Sequence, residues 1–203
     1  RKGKSVLGGE VAKDLLEEIT KIVIKQQAKS IEIIREIEKQ LEEQNVFLIT
    51  ETALSGPQQK FVKKYFLQTV SPQLTTIILS DLTEFPTLKD TAVYLAVRML
   101  LKRDDRTRET SRRIEKRYAL IEIPKAIERF VVLPREGDKD YVIMLDDVIR
   151  FCMDSIFTMF DYSSISAHMI KITRDAELDI DNDLSKSFIE KIYSSVEGRK
   201  ISN

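Results

Sequence analysis

Cysteine and histidine each occur once in this chain, as Cys152 and His168. A single cysteine forms no internal disulfide, which fits a reducing compartment and points to the cytoplasm. A single histidine leaves no second one for a zinc site. An excess of either charge is also missing, because 33 Lys and Arg meet 33 Asp and Glu. Such a balance lacks the basic footprint of a general nucleic-acid binder or a membrane-surface protein. The apolar runs are too short to span a bilayer. There is no Walker-type loop, no GxGxxG and no HExxH, so the commonest nucleotide and zinc-hydrolase signatures are excluded. No signal peptide is visible, and the chain begins at Arg1 rather than Met, so it is expected to be a piece of something longer.

What is present is core-forming material. Of the 203 residues, 42% are hydrophobic and 33% charged, enough for one good-sized domain with an appended element. The central stretch is Tyr141 to Glu177. Tyr141 to Leu145 reads as a strand that runs into two carboxylates, Asp146 and Asp147, suited to the positive end of a helix dipole. Leu145, Val148, Ile149, Cys152, Ile156, Met159 and Phe160 then recur at helical spacing and predict one buried face. Asp146, Arg150 and Asp154 lie four apart and are placed to pair on the other face. Asp161 to Ser164 reads as the turn that stops this helix, and Ala167 to Asp175 as an alternating strand.

Glu10 to Gln44 reads as one long helix with a stripe of Leu15, Ile19, Ile22, Ile31, Ile34, Ile37 and Leu41. It cannot bury that stripe alone. A coiled coil is the alternative, although the spacing drifts from a strict heptad. Val46 to Ile49 is a short strand or the helix's exit. Ser55 to Gln58 is a capping-box pattern with Pro57 in the first turn, opening a helix marked by Phe61, Val62, Tyr65, Phe66 and Val70. Leu74 to Leu79, Thr91 to Leu101, Tyr118 to Ile123 and Phe130 to Leu133 read as strands, the last two near prolines and so expected at a sheet's edge or end. Gly137 and Asp138 mark a turn, and Leu184, Phe188, Ile192 and Val196 a last helix. The only boundary that suggests itself is near Asn45.

Four features carry candidate chemistry. Lys102 to Lys116 is dense in arginine and offers bidentate phosphate contacts, with Arg112 and Arg113 adjacent. Its acidic residues favour a solvated loop or short helix instead. Asp179, Asp181, Asp183 and Glu190 take calcium-loop spacing, but Leu184 stands where the loop's sharp turn needs glycine, so acidic helix caps are the simpler reading. His168 is open to a phosphoryl-acceptor or general-base role. It has no Cys or Ser nucleophile beside it in the sequence, and a packed or edge histidine is the plainer reading. Cys152 falls on the apolar helix face and reads as core. From the residues alone, no complete active site emerges.

The order of motifs is more specific. FLITE, YFLQTVSPQL, FPTLKD, YLAV, YALIEIP, RFVVLP, VIMLDDVIR and ITRDAELD follow one another from about residue 45 to residue 179. The series resembles bacterial polyphosphate kinase of the first type, which builds polyphosphate from ATP. The resemblance implies an α+β fold: a long N-terminal helix, then a mixed α/β head domain with a mainly antiparallel sheet and packed helices. Residues 1–45 would close a helical N-terminal domain, and 46–203 would form a head domain incomplete at its C-terminal end. In that family the phosphorylated histidine and the magnesium-binding residues lie in later domains, which also hold most of the ATP. His168 does not match that histidine, and the resemblance therefore carries over no catalytic residue. Thr173, Arg174, Asp175 and Glu177 match a head-domain motif of unassigned role. The long 102–116 segment departs from the family's short turn, which weakens a polyanion role for Arg112 and Arg113. The implied partners are a second copy in a homodimer, the remaining domains and, for the parent phosphotransferase, polyphosphate. A helical interaction module with no catalytic role is the competing reading.

Overall fold

The computed structural model describes residues 9–81, 86–102 and 115–171. In chain order these form α1 (Gly9–Glu43), β1 (Val46–Ile49), α2 (Gly56–Tyr65), β2 (Thr75–Ile78), β3 (Val93–Leu101), β4 (Lys116–Glu122), β5 (Phe130–Glu136), β6 (Lys139–Met144), α3 (Leu145–Phe151), α4 (Met153–Ile156) and β7 (Tyr162–Lys171). One sheet has the order β1-β6-β5 and the other β2-β4-β3-β7. This is the expected α+β class, with a long first helix and an antiparallel four-stranded sheet. The chain divides into two compact units, Arg1–Leu48 with Arg135–Tyr141, and Ile49–Pro134 with Val142–Asn203.

In the first unit α1 runs for 35 residues because nothing after Gly9 breaks it. Its surface carries local pairs, such as Lys29 to Glu32 at 2.9 Å, each worth a few tenths of a kcal/mol. The predicted stripe is there and is exposed, from Leu15 and Ile19 through Ile34 and Ile37 to Leu41. The helix closes at Asn45, which adopts φ +60°, a left-handed position that asparagine tolerates better than most residues. The Asn45 carbonyl accepts from the Asp140 amide at 2.8 Å. Phe47 stacks on Tyr141 at 5.5 Å, and Lys139 lies over the Phe47 ring at 5.1 Å. Gly137, at φ +62°, makes the turn read from Gly137-Asp138.

In the second unit the capping box is formed as read. Ser55 accepts from the Gln58 amide, and the Gln58 side chain accepts from the Ser55 amide at 3.1 Å. Val62, Phe66 and Val70 are buried one turn apart along α2 and the π-turn Phe66–Val70 that extends it. Both faces of the four-stranded sheet are covered at its centre. Tyr94, Ala96 and Leu120 pack with Leu88 and Ala92 on one side, while Leu95, Val97, Met99 and Ile121 are buried on alternate positions. Each such large side chain contributes about 1.5–3 kcal/mol relative to exposure.

Two local expectations are corrected. The helix after residue 145 is not continuous to Phe160, but breaks at Cys152 (φ −102°, ψ 16°) into α3 and α4. Short bonds from the Cys152 amide to the Ile149 carbonyl and from the Ser155 amide to the Cys152 carbonyl turn the chain. The turn puts Met153 and Phe157 into the core and leaves Met159 79% exposed. The residues read as the following turn, Tyr162 to Ser164, already belong to β7. The prolines sit as read, at an end and at an edge: β4 is an interior strand with Pro124 just past its end, where no ladder bond is lost. β5 is at an edge, as expected, and holds Pro134 there.

Candidate functional site

The densest polar cluster lies at the start of α3. Met144 precedes the helix and supplies no side-chain cap, and the carboxylates Asp146 and Asp147 stand in the first turn, at the positive end of the helix dipole. Both side chains are buried, Asp146 to 3% and Asp147 to 7% exposure. Buried carboxylates need partners. Arg150, one turn on, supplies them: its Nη1 donates to Asp146 Oδ2 at 2.9 Å and to Asp147 Oδ1 at 2.5 Å. Its Nε donates to the Ala167 carbonyl of β7 at 3.2 Å, so one guanidinium joins helix to sheet.

Two further residues complete the cluster. Arg129 lies ahead of β5, and its carbonyl accepts from the Leu145 amide at 2.8 Å. Its Nη2 stands 3.6 Å from Asp146 Oδ1, an ion pair rather than a hydrogen bond, and 3.7 Å from the Met169 sulfur. Glu51 opens the 3-10 turn Glu51–Ala53, which packs on α3 and brings its carboxyl into the electrostatic surroundings of Asp147. Burial pushes the Asp147 carboxyl up to about 6, and the neighbouring Glu51 and Asp146 carboxyls add to this while Arg150 opposes it.

The pairing of Asp146 with Arg150 was legible in the spacing, but its burial was not. Asp154 does not join it and instead accepts from the Tyr162 hydroxyl at 2.5 Å. Burial and that bond push the Tyr162 phenol up to about 12. Glu51 and Arg129 were missed, because each comes from a different element and nothing local marks either one. His168 is half-buried in β7, opposite Ala96 of β3. Cys152 is buried, and desolvation pushes its thiol up to about 11, so it is a packed thiol and not a thiolate nucleophile. Arg112, Arg113, Thr173, Arg174, Asp175 and Glu177 lie outside the described residues, as do the acidic run 179–190 and the helix read over 184–196.

Chemically, this cluster holds parts in place. Its carboxylates are neutralised by guanidiniums, a donor set that does not suit magnesium, and among the described residues no three His, Cys, Asp or Glu side chains are grouped to hold a metal ion. No described element is a helix long and apolar enough to cross a membrane.

Fold and cluster together define an α+β domain whose buried polar chemistry is spent on joining a helix to a sheet. Residues 57–203 match the family model described as the polyphosphate kinase middle domain. The chain is 32% identical over 197 residues to polyphosphate kinase of Vibrio parahaemolyticus and 35% identical over 195 residues to that of Escherichia coli K12. These alignments cover 95% and 93% of the chain but only 27% and 26% of the relatives, so the chain spans about a quarter of their length. The crystal structure of polyphosphate kinase from Porphyromonas gingivalis superposes with a TM-score of 0.68 at 26% identity, over 91% of this chain and 28% of that one. The chain belongs to the polyphosphate kinase family.

Proposed function

We propose that this chain is the scaffold portion of a cytoplasmic phosphotransferase that moves the terminal phosphate of ATP onto a histidine and then onto polyphosphate, reversibly. The observation that carries this reading is the match of nearly the whole chain to about a quarter of proteins named polyphosphate kinase. Phosphoryl transfer depends on positioning and on cations that neutralise developing charge. The described residues offer positioning, through Arg150 between α3 and β7. Magnesium and ATP, in this reading, are held mainly by residues beyond 1–203, and the phosphorylated histidine is not His168. Dimer contacts fall to this portion, and the exposed stripe of α1 supports that assignment because a contiguous apolar surface needs a partner.

The test is polyphosphate synthesis from ATP and magnesium by this chain and by the longer open reading frame around it. The longer protein is expected to make polyphosphate and the chain alone none. Synthesis by the chain alone would place catalysis inside it, and none by the longer protein would remove the enzyme reading. Arg112→Ala/Arg113→Ala in the longer protein tests the polyanion role. Unchanged polyphosphate binding would end that idea.

A further inference from the structure

Arg98 lies on β3, an interior strand of the four-stranded sheet, and is half-buried. Among the described residues it makes neither a hydrogen bond nor an ion pair. A guanidinium taken partly out of water is ordinarily matched by an anion. On this face of β3, β4 and β7 the one described carboxylate is Glu122, which stands opposite Tyr94, four residues along the strand from Arg98. Lys89 already holds it at 2.9 Å. Directly opposite Arg98 are Tyr118 on β4 and Ser166 on β7. Opposed Cβ atoms in an antiparallel pair are about 4.5–5.5 Å apart, well within a guanidinium's reach. Ser166 Oγ is itself buried and has no hydrogen-bond partner, although buried hydroxyls ordinarily have one. Two unmet donors, one of them charged, therefore stand side by side across β3 and β7. Water satisfies a hydroxyl but leaves the charge unmatched. An oxyanion accepts from both groups and neutralises the guanidinium.

We propose that Arg98 and Ser166 form a subsite for one phosphate group on this face of the sheet. The planar fork of Arg98 donates two parallel N–H bonds to two phosphate oxygens, and Ser166 Oγ donates a third bond. Tyr118, 8% exposed, walls the opposite side on β4. The subsite rests on the strand register and the two unmet groups, and not on the polyphosphate reading. A free phosphate and the terminal group of a phosphoryl chain present the same oxygens to it.

His168 is the reporter. It is the only histidine of the chain and lies on the same face, two residues from Ser166 and diagonal to Arg98, a spacing of about 7–8 Å. Its imidazole NMR signals are followed in the whole chain at one fixed pH and constant ionic strength, while chloride is exchanged for inorganic phosphate or, separately, for tripolyphosphate. A saturable shift is expected in the wild type. Arg98→Met should weaken binding by about tenfold or more, and Ser166→Ala by less, as the loss of a charged and of a neutral donor implies. Similar affinity for the two ligands assigns the subsite to a lone phosphate, and tighter binding of tripolyphosphate to a chain end; either result supports it. Should Arg98→Met not fold, Arg98→Lys decides, because it keeps the charge without the fork and should bind several-fold more weakly. A wild type with no saturable shift overturns the subsite. So does a folded Arg98 variant that binds as tightly as the wild type.

Discussion

Arg150 shows how much of this fold rests on single side chains. Its guanidinium serves two buried carboxylates and a strand carbonyl at once. Removing one partner of a buried pair leaves uncompensated charge, which costs more than the pair itself contributes. Arg150→Met should therefore lower unfolding stability by about 3 kcal/mol in urea. Arg129→Met, which breaks only a 3.6 Å pair from a more exposed side chain, should cost less than about 1 kcal/mol. Asp147 adds a pH dependence whose sign is fixed. Its folded value, about 6, lies above its ordinary 3.8, so its contribution is complete below about 4 and is lost as the pH rises through about 6. The four-residue spacing of Asp146 and Arg150 announced their pairing in advance. Arg129 and Glu51 gave no such notice, because their proximity is created by the fold and not by the local chain.

Elements were legible where a local rule decides them. The capping box at Ser55 has its own residues at the right offsets, and α2 starts where those residues say. The long helix α1 was legible because no residue within it opposes helix. The break at Cys152 was not. Met153, Phe157 and Met159 are all apolar, and the choice between them is made by the core they pack into. Phe157→Ala should cost about 3–5 kcal/mol, and Met159→Ala less than about 0.5 kcal/mol, as read by thermal or urea unfolding. Equal losses would restore the single continuous helix.

At the scale of the whole molecule, the order β2-β4-β3-β7 brings together segments far apart in the chain. Val97 of β3 faces Ala167 of β7, a separation of 70 residues (167 − 97). Closing such loops before any contact rewards them makes folding slow, in the range of milliseconds to seconds for sheet-dominated domains. A helix the length of α1 forms on a scale of about a microsecond and is long enough to hold some structure alone. During refolding α1 thus presents its leucines and isoleucines well before the sheet has closed. The stripe is exposed in the folded chain too, and while the sheet is still open it adds to the other unburied apolar surface, which promotes aggregation. Refolding yield should fall as concentration rises. Ile22→Gln/Ile34→Gln should raise the yield without changing the refolding rate, which belongs to the closure of β3 on β7.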